Sequence, residues 1–168
     1  MKTTLKILAC LITPALLTAC ASLGTSNADP RWANYKDWTK INNKPITGDH
    51  TGFLAGLHRG AEGVREVYVN DAGIKASQGN APYLYPVGTV VVKEQYKNLA
   101  ALEAGKTPAL TIMVKVSDTA ENPANNWAWS RGYGKEAKID DGFCFGCHTI
   151  AQGNDFVFSN HDSLTDFQ

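Results

Sequence analysis

Thr89-Val90-Val91-Val92-Lys93-Glu94 is the stretch on which the fold turns. Three consecutive valines after a threonine are stiff at χ1 and fit a pleated surface better than a helix, so the segment reads as a strand reached through Gly88. Leu110 to Val116 repeats the signal in alternating form. Leu110, Ile112, Val114 and Val116 fall on one face, and Thr111, Met113 and Lys115 on the other. Val64 to Val69 alternates likewise, with Arg65, Val67 and Val69 opposite Val64, Glu66 and Tyr68. A fourth strand is expected around Trp127, Ala128 and Trp129. Four strands with turn signals between them and helices mostly at the edges predict an α+β domain, mainly an antiparallel sheet.

Outward from these strands the pattern weakens. Residues 95–104 have helical character and end at Gly105, a C-cap signal. Asn70-Asp71-Ala72-Gly73 reads as a turn. Between Ile41 and Gly63, glycine, proline and asparagine interrupt every period, so loops are expected there, with a strand candidate around Gly52 to Leu57. Asp29-Pro30 is a helix start, with Trp32, Tyr35 and Trp38 at near-helical spacing, which predicts a first helix over 30–41.

The chain has 168 residues, one domain's worth, and only 19% are charged, with a formal net charge of zero. A nucleic-acid binder would carry a lysine and arginine excess, so no nucleic-acid partner is expected. Residues 1–19 read as a secretory signal: Lys2 and Lys6 precede a short apolar run broken by Pro14, too short for the ~20 residues a membrane span needs. Leu17-Thr18-Ala19-Cys20 resembles a bacterial lipobox, whose cysteine is acylated and becomes the first residue of the mature chain; the alternative is an ordinary signal with a chance cysteine. Residues 20–29 are a small, polar tether and 30–168 the domain. The expected location is periplasmic, lipid-anchored, at the outer membrane. Loss of Lys2 and Lys6 leaves 14 basic side chains against 16 acidic ones, a mildly acidic mature chain.

Of the four cysteines, Cys10 leaves with the signal and Cys20 takes lipid. The others sit in Cys144-Phe145-Gly146-Cys147-His148. Two cysteines at this spacing can add as thioethers to the vinyl groups of one haem, with the next histidine as proximal iron ligand. A thioredoxin-like redox pair, half a zinc site and a disulfide are the alternatives. Export, which covalent haem attachment requires, is supplied independently by the signal.

The sixth iron position decides the function. Met113 is the one methionine beyond Met1, and its place within a strand reads as core or pocket lining. His50, His58 and His161 lie in loop-like or tail-like stretches and read as surface histidines. A five-coordinate iron with an open face is the remaining reading, and such an iron binds small molecules.

The order of a helix, a strand ending Val67-Tyr68-Val69, Gly88 to Glu94, Asn126-Trp127-Ala128-Trp129, Cys144 to His148 and Asp155-Phe156-Val157-Phe158 resembles cytochrome P-460 and its relative cytochrome c′-beta, over Trp32 to Phe158. Most other cytochromes c are helical with the motif near the N-terminus. The resemblance implies a mainly antiparallel β fold, a homodimer and one haem c whose five-coordinate iron handles hydroxylamine or nitric oxide in the periplasm. Lys93 matches the lysine that cross-links to the haem macrocycle in cytochrome P-460, against the residue-level alternative of a solvated strand-end lysine. Arg65 matches an arginine beside the family's haem pocket; its alternative is a surface ion pair with Glu62 or Glu66. Hydroxylamine-oxidising members carry a distal glutamate where ungapped alignment from Trp127 places Thr111. A threonine hydroxyl can hydrogen-bond a ligand but is no general base near neutral pH. A pocket of Thr111 and Met113, with Phe53 or Tyr83 near, therefore reads as a gas-binding site. Hydroxylamine oxidation with cross-linked Lys93 is the enzyme alternative, and electron transfer to an unidentified redox partner the third.

Overall fold

The computed structural model describes residues 29–168 except His50, Phe53, Ala55 and Asp140. The signal, residues 20–28 of the tether, Cys10, Cys20, His50 and Phe53 lie outside the described residues.

Five antiparallel strands form one sheet in chain order: β1 (Thr39–Lys40), β2 (Val64–Val69), β3 (Val90–Tyr96), β4 (Ala109–Lys115) and β5 (Trp127–Ser130). With three short helices this is the expected α+β fold. β1 is the strand the sequence did not show. Register decides which side chains share a face. Val67, Lys93 and Thr111 are cross-strand partners in a row, as are Val69, Val91, Met113 and Trp129. The opposite face carries Tyr68, Val92 and Ile112, and beside them Glu66, Glu94 and Leu110.

Several expected elements change once tertiary contacts act. The helix over 30–41 reduces to a 3-10 turn at Tyr35–Asp37, followed by β1. Trp32 is fully buried against the outer sheet face and donates its Nε1–H to the Tyr133 carbonyl at 2.9 Å. That distant packing, not local periodicity, sets the backbone there. Asn70 is a helix cap, its side chain accepting the Gly73 N–H, and begins α1 (Asp71–Ser77) where a turn was expected. Gly73 is required in α1 because a Cβ would come within 2.4 Å of Thr89 Cγ2. β3 runs on to Tyr96, so the helix expected over 95–104 is only α2 (Leu99–Glu103), ended by Gly105 at φ +61° as anticipated. In place of a strand around Gly52–Leu57, the described residues form a turn and a 3-10 segment, Leu57–Arg59. α3 (Gly142–His148) holds the cysteines and is followed by 3-10 turns at Thr149–Asn154 and Asp162–Phe167. Among the described residues no helix is long and apolar enough to cross a membrane.

Candidate haem-binding site

The inner sheet face and α3 enclose a hollow that adjoins a second, smaller one. β3 contributes Lys93 and Gln95, β4 Thr111 and Met113, β5 Trp129. Across from them α3 contributes Cys144, Cys147 and His148. Asp141 caps α3 by accepting the Cys144 N–H at 3.2 Å. One helical turn then places Cys144 and Cys147 on the same side, with His148 beside them.

His148 is buried, and its Nδ1 lies 2.7 Å from the Phe156 carbonyl oxygen. A carbonyl only accepts, so Nδ1 carries the proton and Nε2 keeps its lone pair. Trp129 and Phe158 flank the imidazole, with ring centroids 4.5 and 5.1 Å away, and limit its rotation. Burial, with the Lys93 charge second, pushes the His148 pKa down to about 4, so the ring is neutral as a metal ligand must be.

The lining is cationic. Lys93, Arg65 and Arg131 face the two hollows beside a neutral His58, and among the described lining residues there is no carboxylate. Desolvation, then the Arg65 charge, lowers the Lys93 pKa to about 8. Arg65 is 2% exposed; its guanidinium donates to the Gly60 carbonyl at 2.9 Å and to that of Gly48, and its Nε has no partner. The surface ion pair with Glu62 or Glu66 is thereby overturned: β2 turns Arg65 inward, where burial lowers its pKa.

Lys93 and Thr111, cross-strand partners, both line the larger hollow, and Thr111 Oγ1 accepts a hydrogen bond from Gln95 Nε2 at 3.0 Å. Met113 is buried there as expected. Tyr83 is buried too, but it lines neither hollow and its hydroxyl accepts the Asp162 N–H at 3.1 Å. The residue that sequence reasoning misplaced is His58. It borders both hollows, its Nδ1 is buried without a partner, and its backbone is left-handed at φ +50°. Lys93, followed by desolvation, holds its pKa down to about 3. Its loop-like surroundings concealed this; only the adjoining glycine, Gly60, with its own positive φ, hinted at a tight re-entrant turn.

These residues fit a haem. The walls are mostly apolar, one neutral imidazole has its coordinating nitrogen unengaged, and two thiols lie on one side of one helix. The orphaned N–H groups of Arg65 Nε and Trp129 Nε1, together with the cationic lining, suit the two propionates. Cys144 and Cys147 are both free, not disulfide-linked. Burial pushes the Cys144 thiol up to about 11, the reverse of the lowered pKa a thioredoxin-like nucleophile has. No cluster of three or more His, Cys, Asp or Glu among the described residues is arranged to hold a metal ion by itself. An antiparallel sheet with this lining, in an α+β domain, fits a haem-binding protein. Residues 32–159 match the family model for Cytochrome P460, and the chain belongs to that family. It is accordingly a haem cytochrome. A search of the curated proteins finds no match.

Proposed function

We propose that the chain is an exported, lipid-anchored monohaem cytochrome that binds nitric oxide or a related nitrogen oxide at the open face of a five-coordinate iron. Cys144 and Cys147 would hold the haem through thioethers, and His148 Nε2 would ligate its iron. Bound there, the haem supplies an iron that takes a small π-acceptor ligand and exchanges one electron. The chain's own residues do the rest. Val91, Met113 and Val157 exclude water, Thr111 offers a hydroxyl to a bound ligand, and Arg65 neutralises a propionate. The observation that carries this reading is the neutral, buried His148, tethered through Nδ1 beside both cysteines in a hollow whose described lining has no carboxylate to act as general base. The family resemblance further supports a homodimer in the periplasm, and the lipobox-like Leu17-Thr18-Ala19-Cys20 supports Cys20 as the lipidated residue.

Lys93 favours a second reading, hydroxylamine oxidation with a lysine–haem cross-link and electrons passing to a redox partner protein. A lysine with its pKa lowered to about 8 holds a usable fraction of nucleophilic amine near neutral pH. A lysine so linked would carry no positive charge, and without that charge, the largest influence depressing His58, His58 would be a stronger base, still held down by desolvation.

The purified ferrous protein discriminates. A high-spin spectrum that changes on adding nitric oxide, with haem remaining on the chain under denaturing conditions, is the expected result. A low-spin six-coordinate spectrum would sink both readings in favour of electron transfer with Met113 or His58 as sixth ligand. A strongly red-shifted Soret band lost in Lys93→Ala, together with hydroxylamine turnover lost in His58→Ala, would put the second reading first.

A further inference from the structure

The segment after the haem motif adopts a conformation that L side chains avoid: Asp155 and Phe156 are consecutive left-handed residues, at φ +52° and +66°. Such a backbone persists only where its surroundings over-determine it. Here the Asp155 and Phe156 N–H groups donate to the Gln152 and Ala151 carbonyls at 3.1 and 2.9 Å, and the Asp155 carboxylate adds the long-range hold. Lys115 Nζ donates to both its oxygens at 2.7 Å, Trp127 Nε1–H to one at 3.2 Å, and the Tyr85 N–H to the other at 3.1 Å. The Lys115 side chain is only 2% exposed and that of Asp155 10%. Lys115 also lies 5.4 Å from the Trp127 ring centroid and has a looser outer partner, Asp118, at 3.4 Å.

One residue on, the Phe156 carbonyl receives the His148 Nδ1–H at 2.7 Å. The Phe156 ring packs on Phe145 of α3, 5.7 Å between centroids, tying the same residue to the helix that carries the motif. A buried ion pair is weak evidence for stability, because apolar residues of similar volume often serve as well. What the pair supplies here is direction: it holds the peptide whose carbonyl meets His148. A hydrogen bond at Nδ1 fixes the tautomer and strengthens Nε2 as a donor.

We propose that the buried Lys115–Asp155 pair is a positioning device for the axial histidine, holding residues 155–156 left-handed so that the Phe156 carbonyl engages His148 Nδ1 and sets how strongly Nε2 donates to iron. It rests on the reading of His148 as axial ligand. The strand that presents Thr111 and Met113 to the hollow thus also tunes the iron through Lys115 and Asp155.

The test compares the wild-type haem protein with Asp155→Asn and with Lys115→Met/Asp155→Leu, which removes both charges and leaves no buried ion unpaired. Resonance Raman spectra of the ferrous forms and the haem midpoint potential are the readouts. A weakened hydrogen bond lowers the iron–histidine stretching frequency and raises the potential, because a poorer donor stabilises ferric iron less. Both shifts are expected in each variant, and Lys115→Arg should largely restore wild-type values. An unchanged band and potential in folded variants, with only the melting temperature lowered, would overturn the proposal. His148→Gly separates this from the underlying reading. If that variant leaves the wild-type band in place, His148 is not the ligand and the reading itself fails; if the band vanishes there yet ignores Asp155 and Lys115, only the positioning role fails.

Discussion

Lys93 and Glu94 are neighbours on β3 and point to opposite sides of the sheet, the lysine half-buried and the glutamate fully buried, under opposite conditions. Glu94 is fully buried on the outer face, and its carboxylate accepts from Tyr35 Oη at 2.6 Å, from Tyr96 Oη at 2.9 Å and from Lys36 Nζ. Its cross-strand neighbour Glu66 is likewise paired, with Lys40 Nζ at 2.8 Å. Lys36 also lies above the rings of Tyr35 and Tyr68. Each of these four charges has a partner within the chain. Lys93 has none: the ionisable neighbours that raise its pKa are the thiols Cys147 and Cys144, and Arg65 lowers it. Unpaired polar atoms concentrate on the same side, at His58, Arg65 and Trp129. The outer face is finished by its own chain, whereas the inner face is complete only with an anionic, apolar guest. A satisfied network stabilises; an unsatisfied one marks where a ligand goes.

Removing a partner from the finished side should have the largest effect on stability. Glu94→Ala leaves two tyrosine hydroxyls and an ammonium without their acceptor, and a loss of ~3 kcal/mol is expected in denaturant unfolding. A loss below ~1 kcal/mol would mean that the cluster is dispensable and the contrast false. On the unfinished side the sign reverses. Lys93→Met in the haem-free chain relieves an unpaired cation and should raise stability at pH 7 by ~1–2 kcal/mol, a figure discounted for water in the hollow. The same replacement should cost the holoprotein any red-shifted Soret band. If haem-free stability falls instead, Lys93 has an anionic partner and the inner face is not unfinished.

The smallest effects are slopes with pH. Lys93 has a folded pKa of about 8, below its ordinary 10.5, so the unfolded chain binds more protons between those values and stability should rise with pH across that window. Desolvation, then the Glu94 hydrogen bond, raises the Tyr35 pKa, and burial likewise raises those of Tyr68 and Tyr96 above their ordinary 10. The folded state then keeps protons that the unfolded one releases, and stability should fall as pH rises past 10. Across the Lys93 window the change should match the ~1–2 kcal/mol of Lys93→Met, and past pH 10 a loss of under ~1 kcal/mol is expected. Lys93→Met should flatten the first slope and Tyr35→Phe the second; the same slope in variant and wild type would assign the effect elsewhere.

Legibility in the sequence followed the range of the interactions. β2, β3 and β4 were readable because β-branched residues and strict alternation are local properties, and so was the grouping of Cys144, Cys147 and His148, which short spacing brings together on one helix. β1 is two residues long and exists by pairing with β2, so no local pattern announces it. The aromatic spacing of Trp32, Tyr35 and Trp38 mimicked a helix face, yet Trp32 and Tyr35 serve the sheet and not a helix. His58 was read as a surface residue because nothing in its neighbours reveals that the loop folds back over Lys93.

The sequence by itself determined a β-rich domain and the two thiols and the histidine of the motif, since each depends on residue type and short spacing. Only the tertiary structure decided which face of β3 meets α3, that Arg65 and His58 turn inward, and that Lys115 and Asp155 meet 40 positions apart to hold the peptide behind His148. Those depend on register and chain return, where one residue's slip along β3 would exchange Lys93 for Glu94 and put a fully paired carboxylate's side chain into the hollow.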